Sequence, residues 1–133
     1  MENEITIFEM PLDLNIEGIA MVAKGCINIA YQVAEKNSEI EIIEGVVIIF
    51  DNEDRATAVA HMWNRHKGKD FDVTYEKVWS DSDEMTETKE LKYYQTQQND
   101  LSEFIVGENN DFSEQTKSDV KDINRIILEK AKK

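Results

Sequence analysis

Hydrophobic and polar positions change period several times along the chain, and each change predicts an element. Ile5 and Ile7 alternate with polar neighbours up to Glu9, the pattern of a short edge strand over Ile5–Met10 that Pro11 ends. Leu14 to Ala23 is mixed but compatible with a helix, placing Ile19, Val22 and Ala23 on one face before Lys24-Gly25 breaks it. From Cys26 to Asn37 the apolar positions are Cys26, Ile29, Ala30, Val33 and Ala34, the stripe of an amphipathic helix. This spacing puts Cys26 within a residue of the helix N-terminus, directly after a glycine.

Ile40, Ile42, Ile43 and Val46–Phe50 then form a β-branched run broken only at Glu44-Gly45. A long buried strand is expected, with the glycine marking a bulge or a close backbone approach. Asp51 to Asp54 reads as a turn. Ala58–Asn64 and Phe71–Trp79 read as two further strands, joined through Arg65-His66-Lys67-Gly68-Lys69 as a hairpin. A turn near His66 and Lys67 pairs His61 with Asp72 to within about a residue, because cross-strand partners sum to a constant. Ser80–Glu90 is polar and acidic, a loop pattern. Leu91–Gln97 predicts a strand on which Tyr93 and Tyr94 face opposite ways. Val120, Ile123, Ile127 and Leu128 follow helical spacing; acidic residues open this helix and basic ones close it, as the macrodipole prefers.

These elements make one α+β domain over residues 1–133, and composition narrows its function. No apolar run approaches the roughly 20 residues of a membrane span, and the acidic N-terminus lacks a basic region followed by an apolar one, so a cytoplasmic location is expected. A net charge of −13 argues against nucleic acid as a partner, because phosphate neutralisation needs a clustered basic face. The same acidity serves solubility. With one cysteine, an internal disulfide and a Cys-based zinc site are excluded within one chain. The acidic run Asp81, Asp83, Glu84 and Glu87 lacks the spacing of a calcium loop, and no cofactor or metal is expected.

Three polar residues stand out against this pattern. Cys26 opens a helix, His61 interrupts an apolar strand, and Asp72 follows on the next segment of the hairpin. A cysteine nucleophile acts as its thiolate, which the positive end of a helix and a nearby imidazole both favour. The imidazole in turn needs an acceptor to orient it. Each residue alone reads more simply as packing: Cys26 as a small buried hydrophobe, His61 as a core histidine, Asp72 as a hairpin residue. Their joint spacing points to a catalytic triad. Trp63 reads as a core anchor, His66 as solvated loop and Asn28 as surface or packing.

The stretch from Gly25 to Thr74 resembles the papain-like cysteine hydrolase superfamily, especially its transglutaminase-like and small bacterial amidase or effector branches. The resemblance rests on Gly25-Cys26-x-Asn28, Glu44-Gly45, His61-x-Trp63-Asn64, Gly68 and Asp72-x-Thr74. It implies a papain-like core, with the Cys-bearing helix packed on an antiparallel sheet and a C-terminal helix added. It further implies Cys26 as nucleophile, His61 as base and Asp72 as orienter, in a thiol-dependent hydrolase or acyltransferase acting on a peptide, protein or small amide. Two features depart from the pattern: Ile19, Ala20 and Met21 stand where many members carry an oxyanion-hole amide, and Ile27 stands where many peptidases carry an aromatic residue. The alternative of another class is a catalytically inactive interaction module on the same scaffold (an inhibitor, immunity or effector protein) with a protein partner.

Overall fold

The β-branched run becomes the strand around which everything else is arranged. In the computed structural model, which describes residues 4–22, 25–53, 55–81, 88–104 and 110–131, this run is β3 (Glu41–Asp51). It pairs antiparallel with both β4 (Ala56–His66) and β6 (Thr88–Asn99). The chain order is β1 (Glu4–Ile5), β2 (Ile7–Phe8), α1 (Cys26–Lys36), β3, β4, β5 (Lys69–Phe71), α2 (Val73–Lys77), β6 and α3 (Glu114–Ala131). Among the described residues the architecture is therefore mixed α+β, a six-stranded sheet in the order β1-β6-β3-β4-β5-β2 with three α-helices.

The N-terminal segment departs from the expected single edge strand. β1 pairs antiparallel with β6 through Ile5 and Tyr93, whereas β2 pairs parallel with β5 through Phe8 and Phe71. Only Thr6 separates them, and a strand rises about 3.3 Å per residue. One short segment thus bridges both edges and closes the sheet on itself. Ile5 and Ile7, two positions apart, share a face and pack on the enclosed core of Ile43, Val47, Trp63 and Tyr93. The expected all-antiparallel sheet therefore contains one parallel pair.

Gly45 is where two strands come closest. The β3–β6 register shifts between Glu44 and Gly45, leaving Thr96 as the extra residue of a bulge on β6. A Cβ at Gly45 would lie 2.0 Å from the Tyr94 carbonyl oxygen and 2.8 Å from the Trp63 ring. Both readings of this glycine, bulge and close approach, hold.

Three expectations are corrected. Leu14 to Val22 is not helical. The Asn37 side chain, at the end of α1, binds the Asn15 backbone on both sides, accepting from its N–H and donating to its carbonyl, each at 2.8 Å. The loop so anchored lays Leu14, Ile16, Ile19 and Met21 on the Ile29–Val33 face of α1. Second, the strand read over Phe71–Trp79 ends at Phe71. Asp72 caps α2, its Oδ1 accepting the Tyr75 N–H at 3.1 Å, and the chain leaves the sheet. Third, the hairpin turns at Lys67-Gly68, both with positive φ, and its register pairs Asn64 with Phe71. Extending that register sets Asp72 opposite Trp63 rather than His61.

Helix α1 packs Ala30 and Tyr31 on Ile42 and Met62, and Ile29 and Val33 on Phe71 and Val73. Asn64, buried in β4, fixes this helix by donating to the Ala30 carbonyl at 3.0 Å and to the Glu41 carbonyl at 3.3 Å. Helix α3 is anchored by polar contacts. The buried Glu44 carboxylate accepts from Asn99 (3.0 Å), from Ser113 through both its N–H (3.0 Å) and its hydroxyl (2.7 Å), and from the Thr116 hydroxyl. Burial alone would raise its pKa, but these hydrogen bonds outweigh that and hold it below the ordinary carboxylate range. Asn124 adds a two-pronged contact to the Ala58 backbone, at 2.8 and 2.9 Å. No helix among the described residues is long and apolar enough to cross a membrane.

Candidate active site

Cys26 is the first residue of α1, within the one-residue range that the apolar spacing gives, and is 9% exposed. Gly25 precedes it for a steric reason. The incoming chain folds back so that the Gly25 N–H meets the Val22 carbonyl at 3.1 Å, and a Cβ there would lie 2.9 Å from that oxygen. The Gly25 carbonyl then accepts the first helical bond from Ile29 at 2.8 Å. Among the described residues no side chain caps the helix, and its first turn contains no acidic residue. The positive end of the backbone dipole is therefore not offset by a carboxylate beside the thiol.

His61 lies opposite Gly45 in the β3–β4 ladder and is 0% exposed. Its Nε2 donates to Asp72 Oδ2 at 2.7 Å. The contact is not the direct cross-strand pair that the sequence suggests. Asp72 reaches the ring from the start of α2, where one carboxylate oxygen caps the helix and the other holds the imidazole. Helix cap and histidine acceptor are thus the same side chain, so its orientation is determined twice.

The other ring nitrogen is open. Nδ1 is the one buried side-chain nitrogen or oxygen without a hydrogen-bonding partner among the described residues. Cys26 is near enough to the ring to act on its charge, both as a hydrogen-bonding group and as a neighbouring charge. The thiol does not make an ordinary hydrogen bond to Nδ1. His61 and Asp72 are therefore bonded to each other, and Cys26 is adjacent to the pair. Burial disfavours the imidazolium, but the Asp72 charge, the Asp72 hydrogen bond and Cys26 outweigh it and push the His61 pKa up to about 10.

Two further side chains complete the surroundings, and neither was a site residue in the sequence reading. The Tyr93 hydroxyl donates to Asp72 Oδ2 at 2.5 Å, the same oxygen that holds His61. Strand alternation turns Tyr93 inward, and a buried tyrosine hydroxyl generally needs a partner; those two facts were the available signal. Trp79, in the 3₁₀ turn Trp79–Asp81 after α2, lays its ring over the imidazole with centroids 4.3 Å apart and planes tilted by 34°. Nothing in the sequence pattern separated this tryptophan from a strand residue. Trp63 packs edge-on to Tyr93 at 5.2 Å and donates its indole N–H to Asp70 at 2.7 Å, a core anchor as expected.

The remaining candidates fall away from this cluster. Asn28 is exposed on α1, and His66 closes β4 at the hairpin, its Nδ1 3.4 Å from the Glu39 carbonyl oxygen. Ile19 is buried and Met21 packs beside it, so these two positions contribute packing. Asp83, Glu84 and Glu87 lie outside the described residues, as does the side chain of Asp81. Among the described residues no group of three or more His, Cys, Asp and Glu side chains is placed to hold a metal ion. The chain matches no family model, no curated protein and no solved structure.

Proposed function

We propose that the protein is a thiol-dependent hydrolase or acyltransferase on a papain-like core, with Cys26 as nucleophile, His61 as base and Asp72 as its orienting acceptor. The observation that carries this reading is the state of the imidazole. It is fully enclosed and held through Nε2 by a carboxylate, while Nδ1 is left open beside the only thiol in the chain.

In this reading the thiol proton already rests on His61 Nδ1, as a thiolate–imidazolium pair in keeping with a His61 pKa of about 10, and the Cys26 sulfur attacks an amide or ester carbonyl carbon, forming a C–S bond. Collapse of the tetrahedral adduct breaks the carbonyl's bond to nitrogen or oxygen, and the imidazolium returns its proton to the departing amine or alcohol. The acyl-enzyme is resolved by water, giving an acid, or by an amine, giving a new amide. The backbone N–H of Cys26, unpaired within the helix at the start of α1, is the donor that this reading assigns to the carbonyl oxygen. Substrates are peptides, proteins or small amides.

The test is Cys26 alkylation by iodoacetamide as a function of pH. An activated thiolate reacts at full rate well below the ordinary thiol range of about 8.5, and His61→Ala moves the profile back to that range. A wild-type profile that already follows an ordinary thiol would overturn the enzyme reading. Intact mass after incubation with amide and ester substrates then separates hydrolysis from transfer. The second reading, an inactive interaction module on the same scaffold, is favoured by the near-complete enclosure of His61 and by the apolar segment before Cys26.

A further inference from the structure

Asp72 Oδ2 accepts two buried donors at once, His61 Nε2–H at 2.7 Å and Tyr93 O–H at 2.5 Å. Packing does not require that hydroxyl. The Tyr93 ring is already held by Trp63 and by the core around Ile43 and Val47, and a phenylalanine would fill the same space. Burial, and then the Asp72 charge, push the Tyr93 hydroxyl far above its ordinary pKa. It therefore stays a proton donor throughout the working range and never competes as a base.

We propose that Tyr93 is a positioning residue that keeps the His61 proton transferable by sharing the single Asp72 oxygen on which the imidazole is held. Its hydroxyl draws on the carboxylate charge that would otherwise fall wholly on the imidazolium. An imidazolium held too strongly is a poor acid for the departing group, because proton transfer works best when donor and working pH are matched. The groups facing the ring are Cys26 from α1, Asp72 from the start of α2, Tyr93 from β6, and the rings of Trp63 and Trp79. Tyr75 acts on Tyr93 through charge alone, and its bond to the Asp72 carboxylate is made by its backbone N–H. Of these, only Tyr93 adds a second side-chain donor to the oxygen that binds His61. The catalytic consequence rests on the proposed function; the effect on His61 does not.

The experiment follows the His61 ring by carbon-detected NMR titration in a His66→Gln background, so that one histidine is seen. Tyr93→Phe is expected to raise the pH of proton loss by about one unit, the worth of one charge-assisted hydrogen bond. Site-specific 3-fluorotyrosine at 93, a stronger donor, is expected to move it down. Tyr75→Phe should leave it in place. Opposite signs for the two Tyr93 variants cannot come from a loosened core, which would move both the same way. If Tyr93→Phe does not fold, the sign of the fluorotyrosine shift decides alone. A His61 titration that is unmoved, or moved in one direction by both, overturns the inference. Ordinary Cys26 alkylation with the His61 shifts intact would instead remove the enzyme reading and leave this one standing.

Discussion

Replacing Asp72 by Asn tests the core of the site with the least steric disturbance. Asparagine caps helices as well as aspartate does, so the bond from the Tyr75 N–H to Oδ1 survives and α2 keeps its start. The change falls on the other oxygen, where an amide N–H₂ now meets His61 Nε2 and the Tyr93 hydroxyl. Two donors facing a donor are relieved if His61 moves its proton to Nδ1, accepting from the amide through Nε2. The nitrogen beside Cys26 then carries a proton and no longer serves as a base. Removing the counter-charge also lets burial dominate, so the ring is neutral at neutral pH.

The stability effect has a definite pH signature. The wild-type His61 pKa is raised to about 10 from an ordinary 6.5. Its contribution is therefore fully present below about pH 6.5 and lost as pH rises through about 10. For a fully buried ion pair broken by loss of one partner, the expected cost is about 3 to 5 kcal/mol at pH 6. That gap between wild type and Asp72→Asn should narrow steadily toward pH 10. Urea unfolding followed by circular dichroism at several pH values measures it. A gap constant from pH 6 to 10, or a variant whose His61 still holds its proton to about pH 10, would refute the coupling between the two side chains.

Two other substitutions probe how the site is supported. Glu44→Gln leaves no amide orientation that suits both Asn99 on one oxygen and Ser113 with Thr116 on the other. It should cost about 3 kcal/mol in urea unfolding at pH 7 and speed amide exchange throughout α3. Because the Glu44 pKa is lowered by folding, its contribution is present above about pH 4.3 and is lost as pH falls below that; a variant as stable as wild type at pH 7 would sink the anchoring role. Gly45→Ala drives a methyl group into the Tyr94 carbonyl and the Trp63 ring. The expected result is loss of the cooperative unfolding transition, and a soluble variant with wild-type stability would mean that β3 and β6 approach differently.

Local patterns were legible wherever one face of an element does a single job. The apolar stripe of α1 placed its start to within a residue, because Cys26, Ile29, Ala30 and Val33 lie on one buried face and Gly25 interrupts the pattern before them. The β-branched run of β3 announced a doubly covered strand, and its one glycine announced the near contact with β6. Where an element's conformation depends on a distant partner, the pattern misled. Leu14 to Val22 has helical spacing, yet Asn37 takes up the Asn15 backbone N–H and carbonyl. Phe71–Trp79 has strand composition, yet the Asp72 side chain starts a helix.

The same division runs through the site. From sequence alone, a cysteine at a helix N-terminus, a histidine in an apolar strand and an aspartate one hairpin later were identifiable as residue types at suggestive spacings. Only the tertiary structure decided how they meet. Asp72 arrives from a helix cap rather than a paired strand, Tyr93 arrives from β6, and Trp79 from the turn beyond α2. Periodicity records which way a side chain points from its own element. The direction of a hydrogen bond between elements depends on where the closed sheet and three helices bring their ends, and no local pattern carries that information.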